Sequence, residues 1–338
     1  MRQIYCMTKF LSVAAIVVLL GCNSFQKTPD ISSIEVPITT VRFEQDFFAI
    51  DTLRLDASLQ KLAGQQPLFT QDFLYNILAT TPETAMKDVP QFMSAYQSLY
   101  KQVSAKFSSI QTQEAAIKQG LRHVKYYFPD YKLPTKLITF IGPINSFGNI
   151  ITIDALAIGL QMYLGKNDPI YLSEEGQSLY PIYVSRRFEP EYMATNCMKN
   201  ILDDMFPLQD AGAPLCEQMV EAGKRLYFLK QVLPAEQDSI VTGYTAAQLE
   251  GCYKSEKDIW SFFVQNNLLY QKDPSLIGDY MQDGPNTAVF GDASPGFIGQ
   301  FVGYQIVEAW LQKNKALSLD KVMRTPAKII FEQAKYKP

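Results

Sequence analysis

A single histidine limits what this 338-residue chain can catalyse. A zinc peptidase needs two histidines one helical turn apart, as in His-Glu-x-x-His, with a third ligand from elsewhere. With only His123 the chain cannot assemble that site. A Ser-His-Asp triad would also have to use His123, which lies between Leu121 and Val124 in a strongly periodic stretch and reads as a structural residue of a helix. The nearest approach to a nucleophile elbow is Ile144-Asn145-Ser146-Phe147-Gly148, but Gly-x-Ser-x-Gly requires glycine where Ile144 stands. Neither a phosphate-binding Gly-x-x-x-x-Gly-Lys-Ser/Thr loop nor a Gly-x-Gly-x-x-Gly turn occurs.

Carboxylates occur in close pairs: Glu174-Glu175, Glu189 with Glu191, and Asp203-Asp204. Such pairs hydrolyse glycosides when they face each other several ångströms apart across a cleft. Sequence neighbours do not meet that condition by themselves, so these read as solvated faces. Cys197, Cys216 and Cys252 each fall within a helical apolar pattern, where a free thiol packs as a small hydrophobe. One disulfide plus one free thiol is the other arrangement an odd number allows. No metal and no cofactor is expected.

The strongest chemical signal is a modification. Leu19-Leu20-Gly21-Cys22 closes an apolar run that begins at Phe10, with Arg2 and Lys9 ahead of it. Basic residues, an apolar stretch and small residues before a cleavage point make a secretory signal. A cysteine straight after the small residue makes it a bacterial lipoprotein signal. The run from Phe10 to Leu20 is 11 residues, whereas a membrane span needs about 20. The expected division is a signal over residues 1–21 cut between Gly21 and Cys22, a lipidated tether over 22–33, and one globular domain over 34–338. Two or three acyl chains on Cys22 suffice for stable anchoring. Without Arg2 and Lys9, 29 basic side chains face 34 acidic ones, and no Lys/Arg block stands out. Nucleic acid is therefore not an expected partner.

The elements follow from periodicity. Residues 34–43 read as a short strand, 44–63 as a helix, and Asp88 as the N-cap of one long helix with Pro90 in its first turn. Its stripe runs through Phe92, Tyr96, Leu99, Val103, Phe107, Ile110, Ile117, Leu121, Val124 and Phe128. Strands are expected over 136–141 and 149–154, joined by a turn over 142–148. From Glu191 the pattern is helical almost to the end. Thr245 is an expected N-cap, Ser255 with Asp258 a capping box, and Ser294-Pro295 and Thr325-Pro326 two further starts. Gly296, Gly299 and Gly303 put small residues near one helix face, which suits close helix packing or, alternatively, a ligand approaching the backbone. The fold class is α+β, predominantly helical, with a small central β-sheet, a long preceding helix and a helical C-terminal half.

With these segments in hand the chain resembles the gliding-motility lipoprotein B (GldB) family of the Bacteroidetes. The resemblance rests on Arg42-Phe43-Glu44-Gln45-Asp46-Phe47-Phe48, Tyr163-Leu164-Gly165, Tyr180-Pro181 and Phe188-Glu189-Pro190-Glu191-Tyr192. It continues through Gly223-Lys224-Arg225-Leu226-Tyr227, then Gly243-Tyr244-Thr245, Gln248, Cys252, Glu256 and Ile259-Trp260. Ser294-Pro295-Gly296, Gly299, Gly303, Gln305-Ile306-Val307 and Lys335-Tyr336-Lys337-Pro338 complete it. It implies a lipid-anchored envelope protein of the gliding or associated secretion machinery, acting through contacts with envelope proteins and not as an enzyme. A hydrolase with an unrecognised site and a peptide- or glycan-binding module are the alternatives. Surface lipoproteins of that phylum resemble one another in acidic residues just after the cysteine. Here the first acid is Asp30, which implies a periplasm-facing domain on the inner or outer membrane. More distantly the family is similar to His-Glu-x-x-His zinc peptidases, which would make Glu189, Glu191 and Glu221 remnants of a lost metal site.

Overall fold

The computed structural model describes residues 28–338. The expected signal, the expected cleavage point after Gly21 and Cys22, the expected lipid attachment, lie outside the described residues. A four-stranded sheet organises the first half: β1 (Thr39–Arg42), β2 (Lys136–Phe140), β3 (Asn149–Ile151) and β4 (Ala155–Gly159), in the order β1-β2-β4-β3. β2 lies parallel to both β1 and β4, with Lys136 opposite Ala155 and Phe140 opposite Gly159. β3 runs antiparallel to β4 as the outer arm of a hairpin. Alternation along the strands separates two cores. Ile138, Phe140, Ala155 and Ala157 pack with Phe43, Phe47, Phe69 and Phe73 on one face. Leu137, Leu156 and Ile158 pack with the remaining helices on the other.

The first face is covered by α1 (Phe43–Phe48), α2 (Leu55–Gln65), α3 (Pro67–Gln71) and the start of α4 (Ala85–Lys106). Two expected helices are each broken. The one expected over 44–63 is interrupted where the Asp51 carboxylate accepts the Leu53 amide, 2.9 Å away, and starts a new turn. The long helix begins at Ala85 instead of Asp88 and divides into α4 and α5 (Gln111–Tyr127). At the break Ser109 Oγ accepts the Gln111 amide, and the Phe107 carbonyl accepts Arg42 Nη2 at 2.8 Å. Serine competes with helical hydrogen bonding in this way. Phe107 and Ile110 stay buried across the bend, which is why the apolar stripe reads as continuous. The strand expected over 149–154 is a hairpin arm, and the central strand β4 was not foreseen. Ala155 to Gly159 is buried throughout, so it lacks the alternation that marks a half-exposed strand.

Short helices α6 (Pro169–Leu172), α7 (Glu174–Leu179) and α8 (Ile182–Ser185) lead into the helical half. There follow α9 (Tyr192–Met205), α10 (Leu215–Val232), α11 (Asp238–Thr242), α12 (Ala246–Lys254), α13 (Glu256–Gln265) and α14 (Pro274–Met281). The chain ends with α15 (Ile298–Lys313), α16 (Leu319–Arg324) and α17 (Ala327–Ala334). Thr245 caps α12 as expected, in a complete capping box with Gln248. Ser255 makes no such cap, because it already closes α12. The last two starts also differ. Ser294 Oγ turns back to the Thr287 and Gly291 carbonyls, and α15 opens only at Ile298. Thr325 Oγ1 bonds the Lys321 carbonyl 2.7 Å away instead of capping α17.

The glycine stripe serves helix packing. A Cβ on Gly303 would lie 1.6 Å from the Met219 carbonyl oxygen, and one on Gly223 would lie 2.2 Å from the Gly303 carbonyl carbon. α10 and α15 thus meet backbone to backbone, a contact only glycine permits.

Candidate functional site

The residues singled out from sequence do not converge. Glu189 Oε1 accepts the Lys166 amide at 3.0 Å, Glu191 is exposed ahead of α9, and Glu221 pairs with Lys224 Nζ at 2.9 Å. Among the described residues no three of His, Cys, Asp or Glu gather as a metal site would require. Glu189, Glu191 and Glu221, the expected remnants of a lost metal site, each have a separate place. Asp203 pairs with Arg225, while Asp204 accepts from the Tyr131 hydroxyl, 2.7 Å away. Ser146 Oγ donates to the Ile77 carbonyl. His123 is buried with Nδ1 3.0 Å from the Gln119 carbonyl, and burial lowers its pKa against the opposing pull of nearby backbone. Cys197, Cys216 and Cys252 are free and buried. Burial raises all three thiols, Cys216 to about 11 and Cys252 to about 12, so none is a ready nucleophile.

What the fold does assemble is a cleft of about 640 Å³ in the helical half. Its floor is apolar: Leu202 from α9, Leu226 and Leu229 from α10, Val241 from α11, Ile277 and Met281 from α14. Arg186 and Arg187, just after α8, line it together with Lys199 on α9 and Arg225 on α10. Helical spacing explains the placement. Lys199, Leu202 and Asp203 are three and four residues apart on one face, as are Ala222, Arg225 and Leu226 on the facing helix.

Two of the cations are answered by carboxylates. Arg187 pairs with Asp283 and Arg225 with Asp203, and Arg225 also donates to the Phe206 carbonyl at 3.0 Å. Arg186 gives Nη2 to the Gly243 carbonyl, 2.6 Å away. Gly243 has φ +75°, and a Cβ there would come 3.2 Å from Arg187 Nη1. Glycine at this turn therefore leaves room for Arg187. Lys199 stands in the wall between the cleft and a smaller cavity of about 260 Å³ beside Asn149, Tyr163 and Asn196. Protein surrounds its ammonium, yet part of the residue stays open. Burial pushes its pKa down to about 8, with Arg187 and Arg225 adding repulsion and Asp283 opposing them. Arg186 and Arg225 are lowered by burial in the same sense.

The far wall is held by Tyr244, whose hydroxyl donates to the Phe297 carbonyl at 2.8 Å, and by Gln300, whose Nε2 donates to the Thr242 carbonyl at 3.0 Å. Phe297 has φ +54°, a conformation costly for a bulky residue and one that accompanies functional sites. Three of the segments that carry the family resemblance meet here, around Arg225, Gly243-Tyr244 and Pro295-Gly296. The cleft is neither the pair of bare carboxylates a hydrolase would show nor a dry aromatic groove. Its cations were missed because a lone basic residue in an apolar stripe normally snorkels to solvent.

A family profile described as gliding motility protein GldB matches residues 24–338. No curated protein matches the chain, and no solved structure matches it either.

Proposed function

Because the chain belongs to the gliding motility protein GldB family, we propose that it serves the gliding or secretion machinery as a lipid-anchored, periplasm-facing accessory. It acts by contacts with other envelope proteins and not by catalysis. The family match over residues 24–338 carries this reading. Anchoring rests on Leu19-Leu20-Gly21-Cys22, and two or more acyl chains would hold the domain at a membrane. Among the described residues no helix is long and apolar enough to cross one. Action by contact is supported by the commitments of the charged groups, with Arg187, Arg225 and Glu221 each in an ion pair.

Replacement of Cys22 by alanine tests the anchor. The variant is expected to lose palmitate labelling and processing, and to fail to restore gliding in a deletion strain. Full labelling of the variant would refute it. Protease added to intact cells should leave the domain whole; its degradation would place it at the surface instead.

A further inference from the structure

Charges around the large cleft do not cancel. Arg187 is answered by Asp283 and Arg225 by Asp203. Among the described residues Arg186 bonds only a neutral carbonyl, that of Gly243, and Lys199 has no hydrogen bond or ion pair; Asp283, already paired with Arg187, attracts both without bonding to either. Two positive charges are therefore left facing one cavity, in a chain whose net charge is −3. The remaining titratable lining does not balance them. Asp210 and Lys272 also line the cleft and cancel each other, which leaves the excess of two in place. Tyr163 and Tyr244, which share cavities with Lys199, are kept neutral by burial.

An enclosed cation without a partner is costly, and a ligand carrying the opposite charge removes that cost. The apolar floor adds a second requirement, for an uncharged body lying over Leu202, Leu226, Leu229 and Ile277. A volume of about 640 Å³ falls within the range of small-molecule sites, roughly 300–1,000 Å³. We propose that this cleft binds a small amphiphilic anion, its oxyanion head held by Arg186 and Lys199 and its apolar chain lying on the floor. A long-chain carboxylate and an alkyl phosphate share this chemistry. The ligand site is independent of the anchoring and the envelope role proposed above, and stands or falls separately from them.

The test is isothermal titration of the full chain in phosphatidylcholine nanodiscs, with empty discs as the blank. Laurate and dodecyl phosphate are the anionic probes, and dodecanol is the neutral one. At least one anionic probe should bind, about tenfold or more tighter than dodecanol, and the tighter of the two identifies the head. Lys199→Met should weaken the anionic probes by about tenfold and leave dodecanol unchanged. In the wild type, affinity for the anion should fall as pH rises through about 8, and Lys199→Met should lose that dependence. Arg186→Gln should repeat the loss of affinity, which guards against a folding defect peculiar to one variant. Equal affinity for laurate and dodecanol would reduce the cleft to an apolar groove and overturn the proposal. Unchanged affinity in Lys199→Met, binding of neither anionic probe, or binding of a peptide carboxyl terminus in place of laurate would overturn it as well.

Discussion

Among the charged clusters of the described residues, one is closed and one is open. In the closed one Glu44, with a side chain 0% exposed, accepts Arg42 Nε at 2.6 Å and the Thr139 hydroxyl at 2.6 Å. Arg42 spends its Nη2 on the Phe107 carbonyl at the bend between α4 and α5. Each of these contacts ties a different element, β1, β2 or the helix break, to one point. In the open cluster Arg186 and Lys199 face a cavity whose acids bond to neither of them: Asp283 pairs with Arg187 and Asp203 with Arg225. The same residue types thus do different work. A buried ion whose hydrogen bonds are all met inside the chain holds elements in register, whereas one left unanswered beside empty space is set for a partner.

Removing one side of the closed cluster should have the largest effect. Glu44→Ala leaves Arg42 beside a void and is expected to cost about 3–5 kcal/mol, read as a lowered midpoint in denaturant unfolding. A loss below about 1 kcal/mol would mean the network is not closed in solution. Next comes the joint beneath the open cluster, where Gly303→Ala forces a methyl group against the Met219 carbonyl. About 3 kcal/mol should be lost, as for overpacked cores, and α10 and α15 should separate enough to expose the cleft floor to a hydrophobic dye.

The open cluster should respond with the opposite sign. Lys199→Met removes an enclosed, unpaired charge and is expected to raise stability by about 1 kcal/mol. The pH profile sharpens this. Unfolded lysine titrates near 10.4, and the folded group near 8, so between those values the unfolded chain holds the extra proton. Wild-type stability should therefore rise with pH from about 8 to about 10.5, and the slope should be shallower in Lys199→Met. The smallest effect belongs to His123, whose pKa burial lowers. The unfolded imidazole takes up its proton first, so stability should fall as pH drops below about 6.5. His123→Gln should flatten that slope, and an unchanged slope in thermal melts at pH 5 and 7 would assign the loss to other groups.

How far these clusters could be foreseen follows from their geometry. The stripe through Val103, Ile117, Leu121 and Val124 was legible because helical period and burial coincide there. Its break was not, since Phe107 and Ile110 remain buried on both sides of the bend. Thr245 was legible as an N-cap because its partner, the Gln248 amide, is three residues away. Ser294 also carries a hydroxyl but gives it to the Thr287 and Gly291 carbonyls, which spacing alone does not reveal. The central strand β4 hid because burial on both faces erases alternation.

Sequence by itself therefore determined what is local or compositional: the lack of a two-histidine zinc motif, the helical second half and the order of segments that places the chain in its family. These depend on neighbours within about one helical turn or on simple counts. Tertiary structure decided which charges meet. Arg42 and Phe107 are 65 residues apart, Arg187 and Asp283 are 96 apart, and Gly223 reaches Gly303 only through the packing of two helices. Lys199 is a surface-seeking residue by type. It becomes a largely enclosed cation without a bonded partner only because α10 and the segments after α8 and α14 close around it, and such long-range closure leaves no periodic trace along the chain.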